Sequence, residues 1–526
     1  MADPYDLIIV GYGPVGEVAA NFAGHYRLRA AVFEETASIY HLPRAAHFDN
    51  EIMRVFRRLG LADDIAPAVW PASGMDFVNA AGLRLFRFFE RAGLDLRKRA
   101  RGYWFYQPDL ERFLRAGVQR YPHVDVHLGA QVETVAQSAE AAEITVRDAA
   151  TDSVSTVSGR YLVACDGAHS LTRDSIGATL EDFHFDQFWL VVDTFLKRPV
   201  KLPELTQQIC DPSRPTIYVH SAGQHRRWEF MLMPGETTEE MQRPQRIREL
   251  LAPWITPNDA EVVRAVVYSF HSLAARRWRD RRIFLAGDAA HQMPPFLGQG
   301  MCSGIRDVAN LIWKLQLVVN GRAHDSLLDT YQTERRPHVI NVMEKSIELG
   351  AIIQTTDTEV ARRRDKAYLG NADASLKPQP PPYFSMPPLG AGLSFTPRAQ
   401  DAQRIIGNLL PQAVVRVPGG GTVLINELLT DSFTIIARSG ARDVFAQEAI
   451  AFWQTLGARW LILEPGGTRA HAQPDVIVAE DVEDLLASWL TPDRAIVIRP
   501  DEYVFGAADG AAEFDSMTNA LKRFVL

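Results

Sequence analysis

Hydrophobic and polar positions along this chain follow three rhythms. Solid apolar runs come first: Leu7-Ile8-Ile9-Val10, Ala30-Ala31-Val32-Phe33, Tyr161-Leu162-Val163-Ala164 and Ile283-Phe284-Leu285-Ala286. Each ends at or beside a glycine or an acid, and each predicts a buried strand. Shorter strands are expected at Val124–Leu128 and Ile144–Val146. Between about 183 and 276 the period is two residues, as in Thr216-Ile217-Tyr218-Val219-His220 and Trp228-Glu229-Phe230-Met231-Leu232-Met233, which predicts an antiparallel sheet. Residues 73–105 are also β-like and rich in aromatics, with Gly74 and Gly82 as turn points. Helical spacing appears from about Val15 to Tyr26, from Asp49-Asn50-Glu51 through Leu59, after Gln107-Pro108, and from Ile305 to Val318. A longer stretch runs from Tyr331 to about Arg364, with Pro337 predicting a kink or a restart.

Composition then divides the chain. A proline-rich stretch, Lys377 to Pro382 and Pro387-Pro388, predicts a linker over 376–395. Beyond it, strands at Thr434–Ala437, Trp460–Leu463 and Ala495–Ile498 alternate with helices near 443–457, near 480–490 and at the C-terminus, a separate α/β domain over 396–526. The remainder is expected to fold as one cofactor domain from 1–72, 106–182 and 277–375, covered by a sheet domain from 73–105 and 183–276. The length of 526 residues accommodates these domains, and 47% hydrophobic content suits buried cores. A net charge of -8 argues against nucleic acid and anionic membranes as partners. No apolar run approaches the ~20 residues of a membrane helix. Cys165, Cys210 and Cys302 are far apart and make no metal spacing, so no metal is expected and a cytoplasmic location is.

Chemistry enters at the strand ends. After the first strand comes Gly11-Tyr12-Gly13-Pro14-Val15-Gly16, then a helix, then a second strand ending in Glu34. In that setting the first glycine makes a tight turn, the second admits a pyrophosphate and the third lets helix and strand pack, while Glu34 reaches ribose hydroxyls. This is a dinucleotide site. Asp166-Gly167 follows another strand, with Ser170 as a possible cap and Arg173 beyond. Gly287-Asp288-Ala289-Ala290-His291 follows a third, and Gly298-Gln299-Gly300 leads into a helix whose free N–H groups favour negative charge.

Together these three stretches, with Pro294, resemble the motifs of the single-component flavoprotein aromatic hydroxylases, the group A FAD monooxygenases. Pro43-Arg44-Ala45, Gln107-Pro108, Arg227-Trp228-Glu229-Phe230-Met231, Met233-Pro234-Gly235-Glu236 and Ser303-Gly304 are similar to the branch containing the 3-(3-hydroxyphenyl)propionate hydroxylases. The resemblance covers most of residues 5–345. It implies a Rossmann-like FAD domain of the glutathione-reductase/p-hydroxybenzoate-hydroxylase type with an inserted substrate sheet. It also implies a thioredoxin-like tail, which here contains no cysteine and so no redox chemistry. The implied reaction is hydroxylation of a phenolic ring, with NADH or NADPH and O2 consumed through a flavin C4a-hydroperoxide. Gly11, Gly13, Pro14, Gly16 and Glu34 would hold the adenosine and pyrophosphate. Arg44 and Gln107 would lie along the cofactor, Asp166 would serve FAD and NAD(P)H, and Gly287 with Asp288 the ribityl or pyrophosphate region. Gly298, Gly300, Met301 and Cys302 would face the flavin, and Pro294 would shape the pocket wall. Family habit implies a homodimer.

A base that deprotonates the phenol would aid the reaction. His47, Tyr218, His220, Tyr268 and His271 are candidates, and alternation sets Tyr218 and His220 on one strand face without saying which face looks inward. Arg226 and Arg227 are candidates for a substrate carboxylate, though each reads first as a solvated edge arginine. Competing readings are a hydride-transferring FAD oxidoreductase, a hydroxylase of a heteroaromatic or polyketide substrate, a binding protein without turnover, and a flavin halogenase. None of the ten tryptophans stands two residues from another, so the halogenase WxWxIP motif is absent.

Overall fold

A computed structural model describes residues 4–40, 43–72, 74–88, 100–370, 386–464 and 474–526. The chain divides into two compact units, residues 1–306 with 340–386 and residues 307–339 with 387–526.

In the first unit the solid apolar runs lie side by side. Ile283–Leu285, Val154–Ala164, Tyr5–Val10, Ala30–Glu34 and Val124–Leu128 form, in that order, the parallel part of an eight-stranded mixed sheet. The register pairs Leu285 with Ala164, Ala164 with Val10, and Val10 with Phe33, so four strands end level. The three motifs named above therefore emerge at one edge of one sheet, where open α/β sheets bind ligands.

The period-two region makes a second, seven-stranded sheet in the order Ala260–Phe270, Gln187–Leu196, His225–Met231, Thr216–His220, Thr206–Cys210, Met75–Asn79 and Arg84–Phe88. It is not antiparallel throughout: Thr206–Cys210 runs parallel to Met75–Asn79. These strands come from separate excursions of the chain, so no hairpin dictates their direction. Gly102–Trp104, expected in this sheet, pairs instead with His47–Asp49 and Trp70–Pro71.

One face of the large sheet carries Trp189, Ile217, Val219 and Met231, which cluster with Phe296 and Leu297. The opposite face carries Leu190, Val192, Tyr218, Trp228 and Phe230, which pack with Met241, Ile247 and Leu251. The last three belong to the short helices Thr238–Met241 and Pro244–Leu251.

Three helical expectations are corrected. The helix expected from Ile305 begins at Gly300 and runs to Val319. A Cβ on Gly304 would lie 2.6 Å from Val15 and 2.9 Å from the Gly287 backbone, so close packing selects glycine inside this helix despite its poor propensity. Thr330–Ile353 is continuous through Pro337, and the break falls at 354–357. Near that proline, Gly390 N–H donates to the Glu334 carbonyl at 3.0 Å, so a neighbouring segment supplies a donor beside the Thr333 carbonyl that the proline leaves without its helical partner. Residues 482–490 are turns rather than helix, since Asp481 accepts from Leu486 N at 2.7 Å and Asp484 has φ 52.

The second unit contains a mixed seven-stranded sheet ordered Thr422–Leu424, Val414–Arg416, Val476–Asp481, Arg459–Leu463, Thr434–Ala437, Arg494–Ile498 and Val504–Asp509, with helices Gln447–Thr455 and Ala511–Leu521. Of the expected linker, residues 376–385 lie outside the described residues. Among the described residues no helix is long and apolar enough to cross a membrane.

Candidate active site

The first turn is built by steric exclusion. Gly11 has φ +93, and a Cβ there would sit 2.3 Å from the Cys165 carbonyl oxygen. A Cβ on Gly16 would sit 2.0 Å from the Gly11 carbonyl oxygen, so helix Pro14–His25 can only start this close to the strand with glycine. Gly13 differs: nothing lies within 4 Å of its Cβ position. That open side leaves room for a pyrophosphate beside the helix N-terminus. Glu34 Oε2 accepts from Tyr12 N at 2.7 Å, and Oε1 accepts from Thr36 N and Oγ1. Oε2, with a single donor, keeps acceptor capacity for a ribose hydroxyl. Arg115 secures the turn, donating to Glu17 at 2.7 Å and to the Tyr12 carbonyl at 3.1 Å.

The second and third motifs are joined. Arg173 donates to the Ala168 carbonyl at 3.0 Å and the Ala289 carbonyl at 3.4 Å. Ser170 caps the following short helix through Arg173 N. Asp166 Oδ2 accepts from Thr172 N at 3.0 Å, while its Oδ1 is buried without a partner, an acceptor waiting for a donor. Asp288 retains exposed surface, yet burial raises its carboxyl pKa, with His291 and Arg44 partly opposing that rise. Exposure combined with enclosure is what the wall of a cleft shows. Arg44 is exposed and packs over Tyr40 at 4.9 Å.

The loop carrying Arg44 is held by its backbone. Gln107 Oε1 accepts from Arg44 N at 2.8 Å and Ala45 N at 2.7 Å, and its Nε2 donates to Glu111. The amide oxygen of Gln107 thus holds the loop, while its nitrogen is tied to Glu111 one turn along the same helix. Arg227 donates to the Pro43 carbonyl at 2.7 Å and the Arg44 carbonyl at 2.8 Å, and Arg264 also reaches the Pro43 carbonyl. Arg227 is thus buried rather than a solvated edge arginine. Its counter-ion is Asp193, which also accepts from His225 at 2.8 Å. Burial opposes Asp193 ionisation, but Arg227 and His225 outweigh it and hold the carboxyl below its usual range. Arg226 donates to the carbonyls of Ser221, Gly223 and His225.

His47 is wedged behind the third motif. A Cβ on Gly298, which has φ +63, would lie 3.0 Å from His47 Nδ1, and one on Gly102 would lie 2.2 Å from Nε2. Burial lowers the His47 pKa, favouring the neutral ring. Arg306 locks this corner, donating to Glu51 at 2.6 Å and Gln299 at 2.9 Å and pairing with Asp49. Cys302 is buried, which pushes its thiol pKa far up and leaves it unreactive. Pro294 is buried and its carbonyl accepts from Ser346 at 2.8 Å.

The remaining base candidates separate by face. Tyr218 lies on the face covered by the short helices, and His220, on that same face, has Nδ1 3.1 Å from the Pro203 carbonyl. His271 is half-exposed beside Asp186. Tyr218 thus stands on the face away from Phe296, whereas His271 lies two residues before the strand that pairs with His291–Gln292. Tyr268 pairs with Trp189 across the sheet and so shares the face that packs on Phe296. Sequence reading missed Arg115, Arg306 and Asp193 as supports, since their partners lie 98, 255 and 34 residues away.

This arrangement defines a dinucleotide-binding flavoprotein in which an apolar sheet faces the third motif loop. The open Gly13 cradle, the unpartnered Asp166 oxygen and the helix start at Gly300 fit an FAD. The chain belongs to the FAD-binding family of flavoprotein aromatic hydroxylases: residues 4–346 match the family described as FAD binding domain. Residues 407–524 match the HcaD C-terminal domain. The chain is 36% identical to a probable NADH-specific resorcinol 4-hydroxylase of Rhodococcus jostii (strain RHA1), covering 98% of this chain and 94% of that one. It is 34% identical to a 3-(3-hydroxy-phenyl)propionate/3-hydroxycinnamic acid hydroxylase of Burkholderia cenocepacia (strain HI2424), covering 98% and 96%. Among solved structures, the flavin-dependent monooxygenase PieE in complex with FAD and substrate superposes with TM-score 0.80 at 21% identity, covering 99% of each chain. Aklavinone-11 hydroxylase with FAD and aklavinone gives 0.79 at 21%, again over 99% of each.

Proposed function

We propose that this enzyme inserts one oxygen atom into the ring of a small phenol, consuming NADH or NADPH and O2 and releasing the hydroxylated phenol, NAD(P)+ and water. Relatives named for resorcinol and for 3-(3-hydroxyphenyl)propionate support that substrate class. The observation that carries the reading is the apposition of an aromatic-lined sheet face, with Trp189, Met231 and Ile217, to the Phe296-Leu297 loop between the Gly287–His291 motif and Gly298. A flat apolar ring fits such a surface.

Bound FAD would supply the electron transfer and oxygen activation that no side chain provides. Gly11, Gly13, Pro14, Gly16 and Glu34 would hold its adenosine and pyrophosphate. Asp166, Gly287, Asp288 and Arg44 would line the middle of the cleft. Gly298, Gly300, Met301 and Cys302 would present backbone N–H groups and the helix N-terminus to the flavin, favouring negative charge there. Pro294 and Phe296 would keep water from the reacting ring. His47, neutral and wedged, would hold the Gly298 turn in place rather than move protons.

Aerobic turnover of purified holoenzyme tests this. NADH and NADPH consumption is followed with resorcinol, 3-(3-hydroxyphenyl)propionate and larger phenols, and products are weighed by mass spectrometry. Stimulated consumption with a product heavier by one oxygen atom is expected. Turnover in the absence of O2 with no oxygenated product would replace the reading with a hydride-transferring oxidoreductase.

A further inference from the structure

On the inner face of the large sheet, one carboxylate has no hydrogen-bond donor among the described residues. Glu229 pairs with Val191 on one neighbouring strand and Ile217 on the other, and cross-strand partners share a face. Its face is the one that packs on Phe296 and Leu297. Glu229 is 7% exposed. No hydrogen bond reaches its carboxylate among the described residues, and the Arg227 guanidinium stands 3.8 Å from Oε1, beyond hydrogen-bonding distance.

The neighbouring ions are occupied with one another. Asp193 accepts from His225, Arg227 and Arg264, while Arg227 donates to Asp193 and to the Pro43 and Arg44 carbonyls. Arg264 has two nitrogens without partners, but these are sealed from solvent and its guanidinium lies 4.8 Å over the Tyr268 ring. The Glu229 side chain keeps 9% of its surface open. A nearly buried carboxylate without a donor is costly to hold, so its donor is expected to come from outside the chain. The flanking Val191 and Ile217 are apolar, a setting for a ring whose single polar edge meets one acceptor.

We infer that Glu229 is the base that accepts the proton of the substrate's phenolic hydroxyl, an assignment that rests on the phenol-hydroxylase reading above. In this step the phenol O–H bond breaks and its electron pair stays on the phenol oxygen. The proton forms a new O–H bond on Glu229, and no oxidant or reductant is involved. The resulting phenolate pushes electron density into the ring at the moment oxygen is inserted. On product release the proton returns to solvent. Burial raises the Glu229 pKa and Arg227 partly opposes it, which brings the carboxylate nearer to a phenol in basicity while Arg227 favours its ionised form. The charged groups facing it are Arg227 on its own strand, Asp193 and Arg264 from the strands beyond, with Asp193 also raising its pKa and Arg264 lowering it.

The test uses wild-type holoenzyme and Glu229→Gln with resorcinol and 3-(3-hydroxyphenyl)propionate, measuring oxygenated product against pH. For the wild type, turnover should fall as pH drops through the raised Glu229 pKa, because only the ionised form accepts a proton. For Glu229→Gln, turnover near neutrality should fall about 100-fold or more, and that acid limb should vanish. Turnover should then recover as pH rises toward the phenol's own ionisation, and with ring-fluorinated, more acidic phenols. Wild-type turnover in the variant, or an equal loss for every phenol at every pH, would overturn the assignment. If Glu229→Gln fails to fold or bind FAD, Glu229→Asp decides: a retained acid limb with intermediate turnover supports the base, and its absence overturns it. A wild type that oxygenates no phenol would remove the functional reading and this assignment with it. A wild type that does, beside an indifferent variant, would remove only the assignment.

Discussion

Gly13 and Gly16 stand three residues apart and answer to different neighbours. Gly16 is required by protein, since its Cβ would strike the Gly11 carbonyl at 2.0 Å. Gly13 meets no protein atom within 4 Å, so any demand for glycine there comes from the ligand. Gly16→Ala should therefore lower the melting temperature of apoprotein, whereas Gly13→Ala should leave it unchanged and reduce FAD content. Scanning calorimetry and flavin absorbance per chain separate the two. Equal thermal stability of both variants would show that the turn relaxes around Gly16. The fingerprint itself was legible in sequence because strand, turn and helix are contiguous. Gln107 shows the opposite: its position was noted, but its partners on the Arg44 loop lie 63 and 62 residues away.

At the scale of an element, the Pro43–Ala45 segment is fixed by other parts of the chain. Arg227 and Arg264 hold its carbonyls from the large sheet, and Asp193 pairs with both arginines. Asp193→Asn would leave two buried guanidinium groups without their counter-ion, a loss of about 3–5 kcal/mol. Denaturant unfolding at neutral pH should show it, together with weaker FAD retention as the Arg44 loop loosens. A variant unfolding at the wild-type denaturant midpoint would mean that the arginines find other partners. Two-residue alternation correctly set Tyr218 with His220 on a common face. It could not tell inward from outward, because both faces of this sheet are covered, one by the Phe296 loop and the other by the helices at Thr238–Met241 and Pro244–Leu251. So Tyr218 and Tyr268, equal as sequence candidates, part company only in the folded sheet.

Across the whole chain, the second unit has its own buried ionic centre. Glu334 accepts from Lys314 at 2.7 Å, Arg499 at 2.8 Å, Asn310 at 2.8 Å and Leu393 N at 2.6 Å. Burial opposes its ionisation, but Arg499 and Lys314 outweigh that and bring its pKa down to about 2. A carboxyl depressed on folding contributes stability that is present above its unfolded pKa, here the ordinary 4.5, and lost as pH falls through about 2. Glu334→Gln should therefore be less stable at neutrality, since Lys314 and Arg499 stay buried, and should lose less on acidification between those two values. Parallel acid-unfolding profiles of wild type and variant would reject this.

Most strands and helices, the dinucleotide turn and the likeness to FAD hydroxylases were available from the chain read in order, because helix and strand periods and glycine turns are imposed by backbone geometry within a few residues. Partner choice was not. The parallel pairing of Thr206–Cys210 with Met75–Asn79, the continuity of helix Thr330–Ile353 through Pro337, and the face on which Glu229 stands all depend on groups far away in sequence. Those were decided by which apolar surfaces could be buried together and which buried polar groups then found a donor. Packing energy and hydrogen-bond satisfaction are properties of the assembled chain and of no segment within it.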